Sequence, residues 1–142
     1  MSNLRLTQSY SIKATKSKVW KALTDPEIIK KYFFGTETTT DWKVGSPIFF
    51  RGEWEGKPYE DKGTILEIEK EKFVKYNYWS SFSGRPDVPA NYNNITYAVK
   101  EANGETVLTV TQDGFKDEEA LKHSEANWKM VMEGMKKLVE GE

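Results

Sequence analysis

Cysteine is absent from the 142 residues and histidine occurs once. The first absence removes disulfide staples, thiolate nucleophiles and thiolate metal sites. The second leaves too few imidazoles for a metal centre, and the carboxylates show no ligand spacing, so no metal and no other cofactor is expected. An excess of one charge is also missing. Lys plus Arg is 21, Asp plus Glu is 22, and the net charge is −1, so nothing electrostatic points to nucleic acid or an anionic membrane as partner. No run approaches the ~18 apolar residues of a membrane span, and the opening residues 1–7 lack an apolar signal core. A cytoplasmic protein with no membrane insertion is the expectation. Gly45, Gly52 and Gly56 are too scattered for a phosphate-binding loop.

What is present is aromatic. Phe, Trp and Tyr make up 13% of the chain, enough ring surface to argue for an ordered core. The length predicts one domain over residues 1–142, able to bury roughly two-thirds of its unfolded surface. Residues 4–12 read as a strand, with Leu4, Leu6, Tyr10 and Ile12 on one side. Thr15 can cap a short helix over 16–23, and Asp25-Pro26 starts a second that ends near Gly35. The period then changes to two. Segments 36–40, 47–54, 59–69, 73–79, 93–101 and 105–112 read as strands. Gly45, Gly56-Lys57-Pro58, Lys70-Glu71 and Asn103-Gly104 lie between them as turns. The 80–93 connection carries Gly84, Pro86 and Pro89, and its length suits a functional or mobile loop. Asp117 caps a long helix reaching Glu140, acidic at its start and basic near its end. The meander is antiparallel because its turns are too short for crossovers. The expected class is α+β, with about six to seven strands around one long helix.

At ~100° per residue, Leu121, Trp128, Met132, Met135 and Val139 share a stripe, flanked by Val131 and Leu138. Ser124 interrupts it. Either its hydroxyl bonds back to the Ala120 carbonyl and a bulky sheet residue fills the space, or the gap is part of a cavity. Alternation turns Val74, Tyr76 and Tyr78, then Ile95, Tyr97 and Val99, then Leu108, Val110 and Gln112 towards the helix. A face rich in tyrosine suits a ligand pocket, with apolar walls and a few convergent polar groups; tyrosines reaching the sheet rim would instead leave a solid core.

Catalytic groups are harder to find. His123 lies about 140° from Trp128 on the helical wheel and faces solvent. Glu53, Glu55, Glu60, Asp61 and Glu67 read as the solvated face of a one-sided sheet. Glu53 or Glu60, turned inward, would gain a raised pKa and serve as a general base, but nothing in the spacing pairs either with a second group. Arg51 and Arg85 are candidates to meet an acidic head group, with solvent exposure as the simpler assignment. No catalytic residue is assigned.

The run Val19-Trp20-Lys21-Ala22-Leu23-Thr24-Asp25-Pro26-Glu27 resembles the helix-and-turn signature of the START-like (SRPBCC) superfamily, in the branch named for the activator of the heat-shock-protein-90 ATPase. Gly63-Thr64-Ile65-Leu66-Glu67-Ile68 is similar to that branch's central strand. The segment from Thr106 to Phe115 resembles its last strand and exit, and Trp128, Met135, Leu138 and Glu140 fit its closing pattern. Two positions depart from it: Tyr32-Phe33-Phe34 stands where the family often has a Trp, and Gln112 where it often has a His.

The resemblance implies a helix-grip fold, a curved antiparallel sheet around the C-terminal helix with a cavity between them. It implies a carrier or sensor of a small hydrophobic ligand, lipid, polyketide or flavonoid-like. The alternatives it brings are a protein-interaction module that touches a chaperone, and a cyclase-type enzyme. Fold transfers more securely than function. The expected ligand-binding residues are Tyr76, Tyr78, Tyr97, Val110, Gln112, Ser124, Trp128, Met132 and Met135, with Phe33, Phe34 and the 80–93 loop at the mouth.

Overall fold

The computed structural model describes residues 4–33, 35–80, 86–115 and 117–141. Among these the chain runs β1 (Arg5–Ile12), α1 (Lys16–Thr24), α2 (Pro26–Tyr32), β2 (Glu37–Thr39), β3 (Pro47–Trp54), β4 (Lys57–Glu69) and β5 (Phe73–Tyr78). A 3₁₀ turn (Pro89–Asn91), β6 (Asn93–Ala102), β7 (Glu105–Asp113) and α3 (Glu118–Glu140) complete it. Phe34, Arg85 and residues 81–85 of the expected lid lie outside the described residues.

Local chemistry sets the helix starts. Thr15 accepts from the Lys18 amide at 3.2 Å, Asp25 from the Glu27 amide at 2.9 Å, and Asp117 from the Ala120 amide at 2.8 Å. Each satisfies an amide that has no partner within its own helix. The carboxylates of Glu118 and Glu119 sit at the positive end of α3 and Lys137 at the negative end. With 23 residues, α3 is about 35 Å long.

All strand pairs are antiparallel, and the order is β1-β7-β6-β5-β4-β3-β2. The two edge strands, β1 and β2, are joined in sequence by α1 and α2, so the short helices carry the chain from one edge to the other. The architecture is a seven-stranded antiparallel sheet with α3 packed on one face, a helix-grip α+β fold.

Two turns are tighter than a count of turn residues suggests. The β3–β4 hairpin turns on Glu55 and Gly56 alone, both with positive φ, and Lys57 already pairs with Trp54. Lys57 and Pro58, expected in the turn, are therefore strand residues. Asn103-Gly104 forms the matching turn between β6 and β7.

β4 carries the irregularity that shapes the inner face. Asp61, Gly63 and Ile65 are buried, and an extra residue then shifts the register between Ile65 and Glu67. Beyond this bulge the buried parity reverses, and Ile68 stands opposite Val74. Just before it, the ladder opens. The Asn77 side-chain carbonyl accepts from the Thr64 amide at 2.7 Å, and the Asn77 backbone carbonyl lies over Gly63. A methyl group at Gly63 would sit 1.7 Å from that oxygen. The last strand residues of β5 have no freedom to move away, because β6 pairs along their other side, with Asn94 opposite Asn77.

Gly63→Ala is therefore expected to force β4 and β5 apart and to lower stability by about 2–3 kcal/mol. Urea unfolding with an unchanged slope and a reduced midpoint checks this; an unaltered midpoint would mean that the strands separate freely here.

Candidate functional site

The inner face of the sheet is built from alternate residues of six strands. Leu6, Ile48, Ile65, Val74, Tyr76, Ile95, Tyr97, Val99, Leu108, Val110 and Gln112 are all buried. From α3, Trp128, Val131, Met132, Met135 and Val139 are buried, whereas Met130 is 57% exposed. Leu121, Ser124 and Leu138 are half-buried, and His123 is exposed.

The α3 backbone lies close to β1, α1 and α2, while the middle strands β5 and β6 reach the helix through side chains. Those side chains are rings. Phe33 meets Trp128 edge-on at 6.1 Å between centroids, Trp128 meets Tyr97 at 5.8 Å, and Tyr97 meets Tyr76 at 5.8 Å. Phe50 continues the column to Tyr76 at 5.8 Å and Tyr78 at 5.7 Å. These are the tilted and edge-to-face geometries that the ring quadrupole favours.

Polar groups lie along the column in pairs. The Trp128 indole N–H donates to Gln112 Oε1 at 2.7 Å, and the Tyr76 and Tyr97 hydroxyls share a bond at 3.0 Å. Tyr78 donates to Asp61 Oδ2 at 2.5 Å, and Tyr32 donates to the Ala22 carbonyl at 2.8 Å. Thr38 stands opposite Phe50 on β3, and its buried hydroxyl has no partner among the described residues.

Asp61 was not among the carboxylates singled out for an inward position. Glu53 and Glu60 are exposed, and Arg51 bonds Glu60 at the surface at 2.7 Å. The inward carboxylate is Asp61, 7% exposed and directly across from Phe50. Sequence reasoning also missed Phe50 and Thr38. The signal available for all three was cross-strand register, since Thr38, Phe50 and Asp61 are successive partners across β2, β3 and β4.

Burial sets the phenol chemistry. Tyr32, Tyr76, Tyr78 and Tyr97 all hold their protons above the ordinary phenol value, first because a phenolate would be desolvated. For Tyr78 the negative charge of Asp61 adds to the effect. At neutral pH the column therefore offers neutral hydroxyls, an amide and one carboxylate. Among the described residues no cluster of three or more His, Asp or Glu side chains could hold a metal ion, and no helix is long and apolar enough to cross a membrane.

Two hollows open elsewhere on the molecule. One, of about 450 Å³, lies between α1, the loop before β3 and the β4–β5 turn. The other, of about 670 Å³, lies between the outer edge of β1 and the charged side of α3.

A sheet gripping a long helix through a ring-lined inner face defines a helix-grip domain. Residues 13–140 match the family described as Activator of Hsp90 ATPase homolog 1-like protein, and the chain belongs to that family. Its fold closely follows the solution structure of ChR145 from Cytophaga hutchinsonii: 43% identity, TM-score 0.86, covering 99% of this chain and 97% of that one. CalU16 from Micromonospora echinospora shares the fold at 19% identity and TM-score 0.76, covering 95% of this chain and 75% of that one. The Aha1 dimer from Colwellia psychrerythraea does so at 16% identity and TM-score 0.76, covering 96% of each chain. None of the curated proteins matches the sequence.

Two outcomes follow from the column. Tyr76→Phe and Tyr97→Phe each leave the surviving phenol buried without its partner, at a cost of about 1–3 kcal/mol. The double variant is expected to lose less than the sum, and a double-mutant cycle by urea unfolding reads the coupling. The second outcome concerns alkali. Below pH ~10 the phenols are protonated in both folded and unfolded chains, so their contribution is intact. Above it the unfolded chain releases protons that the folded chain retains, and stability falls as pH rises towards the folded values. The phenolate absorbance of Tyr32, Tyr76, Tyr78 and Tyr97 is expected to appear together with unfolding. Titration of all four at ordinary pH in a folded protein would show that the column is open to water.

Proposed function

We propose that the chain is a carrier or sensor for a small hydrophobic molecule, lipid, polyketide or flavonoid-like in class. The molecule is held between α3 and the inward faces of β4 to β7. The supporting observation is the make-up of the layer between them: rings carrying paired polar groups stand among the aliphatic side chains over the centre of the sheet. Rings of this kind rotate without breaking the backbone framework. Rotation of Tyr76 and Tyr97 away from one another, beside a Trp128 held by Gln112, makes room for a flat apolar body.

Polar groups are graded along the gap. Asp61, Tyr78 and the Thr38 hydroxyl lie towards β2, β3 and β4, and Gln112 lies beside Trp128 towards α3. Val110, Met132 and Met135 supply apolar surface there, with methionine adapting to irregular shapes, and Ser124 is half-buried one turn before Trp128. Phe33, edge-on to Trp128, stands at the entrance. Apolar burial drives uptake at about 25 cal/mol per Å², less the cost of ordering the ligand and the side chains that hold it. The polar groups choose orientation.

The competing reading is a domain that docks on a chaperone ATPase. Such a surface calls for a contiguous apolar patch. Among the described residues the exposed large apolar side chains are Val44 and Val88, in two separate loops, and Met130 on α3. That scatter favours the ligand reading. A cyclase-type enzyme requires an inward acid or base poised for proton transfer. Asp61 is inward but is engaged by the Tyr78 hydroxyl, which suits binding better than turnover.

A panel of fatty acids, flavonoids and aromatic polyketides, followed by tryptophan emission and by NMR of the Trp128 indole N–H and the Tyr97 ring, tests the reading. At least one class is expected to shift both signals saturably. Silence of both signals across the panel, together with binding to a purified heat-shock-protein-90 chaperone, would transfer the function to the docking reading.

A further inference from the structure

The 450 Å³ hollow lies outside the ring column, although Trp20 on its wall belongs to the same core cluster. Trp20, Trp42 and Ile68 form its apolar walls, and Lys21 and Lys70 stand at its rim. Neither lysine makes an ion pair among the described residues.

The backbone around the hollow is unusual. Trp42, Glu55, Glu71 and Asn103 have φ of 59°, 52°, 61° and 53°, in the left-handed region. Glu55 and Asn103 open two-residue hairpin turns and are followed by glycine, where that conformation is required. Glu71 takes it inside the β4–β5 turn, which the Lys72 amide closes on the Glu69 carbonyl at 2.9 Å. Trp42 stands in no hairpin, and both residues line the hollow. A large side chain in this region is strained and persists only where its surroundings hold it.

The surroundings do so. The Trp42 amide donates to Thr40 Oγ1 at 3.4 Å and the Lys43 amide to Asp41 Oδ1 at 3.1 Å, fixing the loop that carries the indole. The Ser17 hydroxyl donates to Glu71 Oε1 at 3.0 Å, lacing the β4–β5 turn to α1. Strain is thus spent on presenting an indole and on fastening the rim that bears Lys70.

We propose that this hollow is a second binding site, selective for a flat aromatic carboxylate of one or two rings. The half-buried Trp42 indole offers most of the ring surface to a planar body, backed by Trp20, which is 6% exposed. Lys21 and Lys70 supply two mobile positive charges for its carboxylate. The volume is in the range of small-ligand sites. The Glu71 carboxylate, held by Ser17, repels an anion placed at that side and so confines the ligand's charge to the lysine side.

The test compares 2-naphthoate with the neutral 2-naphthalenemethanol on the full chain, followed by NMR of the indole N–H signals. Naphthoate is expected to shift Trp20 and Trp42 and leave Trp128 still, and to bind about five- to tenfold more tightly than the alcohol, as two exposed charge contacts allow. The combined Lys21→Gln and Lys70→Gln variant alters only exposed side chains, retains its fold, and is expected to abolish that preference. Raising the salt concentration is expected to do the same. Equal affinity for the two compounds would overturn the proposal, as would unmoved Trp20 and Trp42 signals at millimolar naphthoate. Movement of Trp128 alone would overturn it too, while lending support to the inner gap.

Discussion

The bond from the Trp128 indole to Gln112 is the point at which helix and sheet become one body. α3 has its backbone neighbours in β1, α1 and α2, and over the centre of the sheet only long side chains reach it. A purely apolar bridge would leave the helix free to slide, since dispersion contacts are short-ranged but weakly directional. A buried 2.7 Å hydrogen bond sets one rotation and one depth for Trp128. Both partners are neutral, so the bridge does not respond to physiological pH. A histidine at position 112 would need the correct tautomer to accept that proton and would lose the ability on protonation. Glutamine removes this dependence.

The tyrosines extend the same logic into the sheet. A phenol in an apolar interior requires a partner, and here the partners are one another, Asp61 and a carbonyl of α1. Such a core is ordered but exchangeable. A hydroxyl, carbonyl or ether brought in by a ligand can replace a phenol as partner at little net cost, because one hydrogen bond is traded for another. An aliphatic core has no comparable exchange. Thr38 shows the other side of the balance: its buried hydroxyl has no partner among the described residues, and the cost of that desolvation is borne by the packing around it.

Much of this was legible beforehand because it depends on local rules. The caps at Thr15, Asp25 and Asp117, the alternation in β5 to β7 and the stripe on α3 each follow from a few neighbouring residues. What escaped were relations across strands. In β4 the even positions Leu66 and Ile68 suggest that Glu60 shares their side, but the bulge reverses parity and turns Asp61 inward instead. Between Asp61 and Ile68 the one sequence sign of irregularity is Gly63, an isolated glycine in a strand pattern, and it does not say which residue is inserted. The pairing of Tyr76 with Tyr97 depends likewise on the β5–β6 register, which places Tyr97 opposite Val74 and diagonal to Tyr76. The bulge and Gly63 act together. The ladder opens where Gly63 lets the Asn77 carbonyl approach, and the opening lies between Asp61 and Tyr76, which together with Tyr78 turn polar groups inward from β4 and β5.

The same sheet therefore treats its two sides by different rules. On the inner face polar atoms are few, neutral apart from Asp61, and bound to one another. On the outer face charges of both signs are frequent and their pairs are exposed, as with Arg51–Glu60 and Lys72–Glu69; exposed pairs of this kind contribute little to stability. Stability thus rests on the inner face, and the outer face is free to vary. The strained Trp42 belongs to neither. It takes a conformation that neither the core nor a solvated surface requires, and it does so at the hollow beside α1. In a domain whose other left-handed non-glycine residues, Glu71 among them, lie in hairpin turns, that position is an argument for selection at the hollow itself.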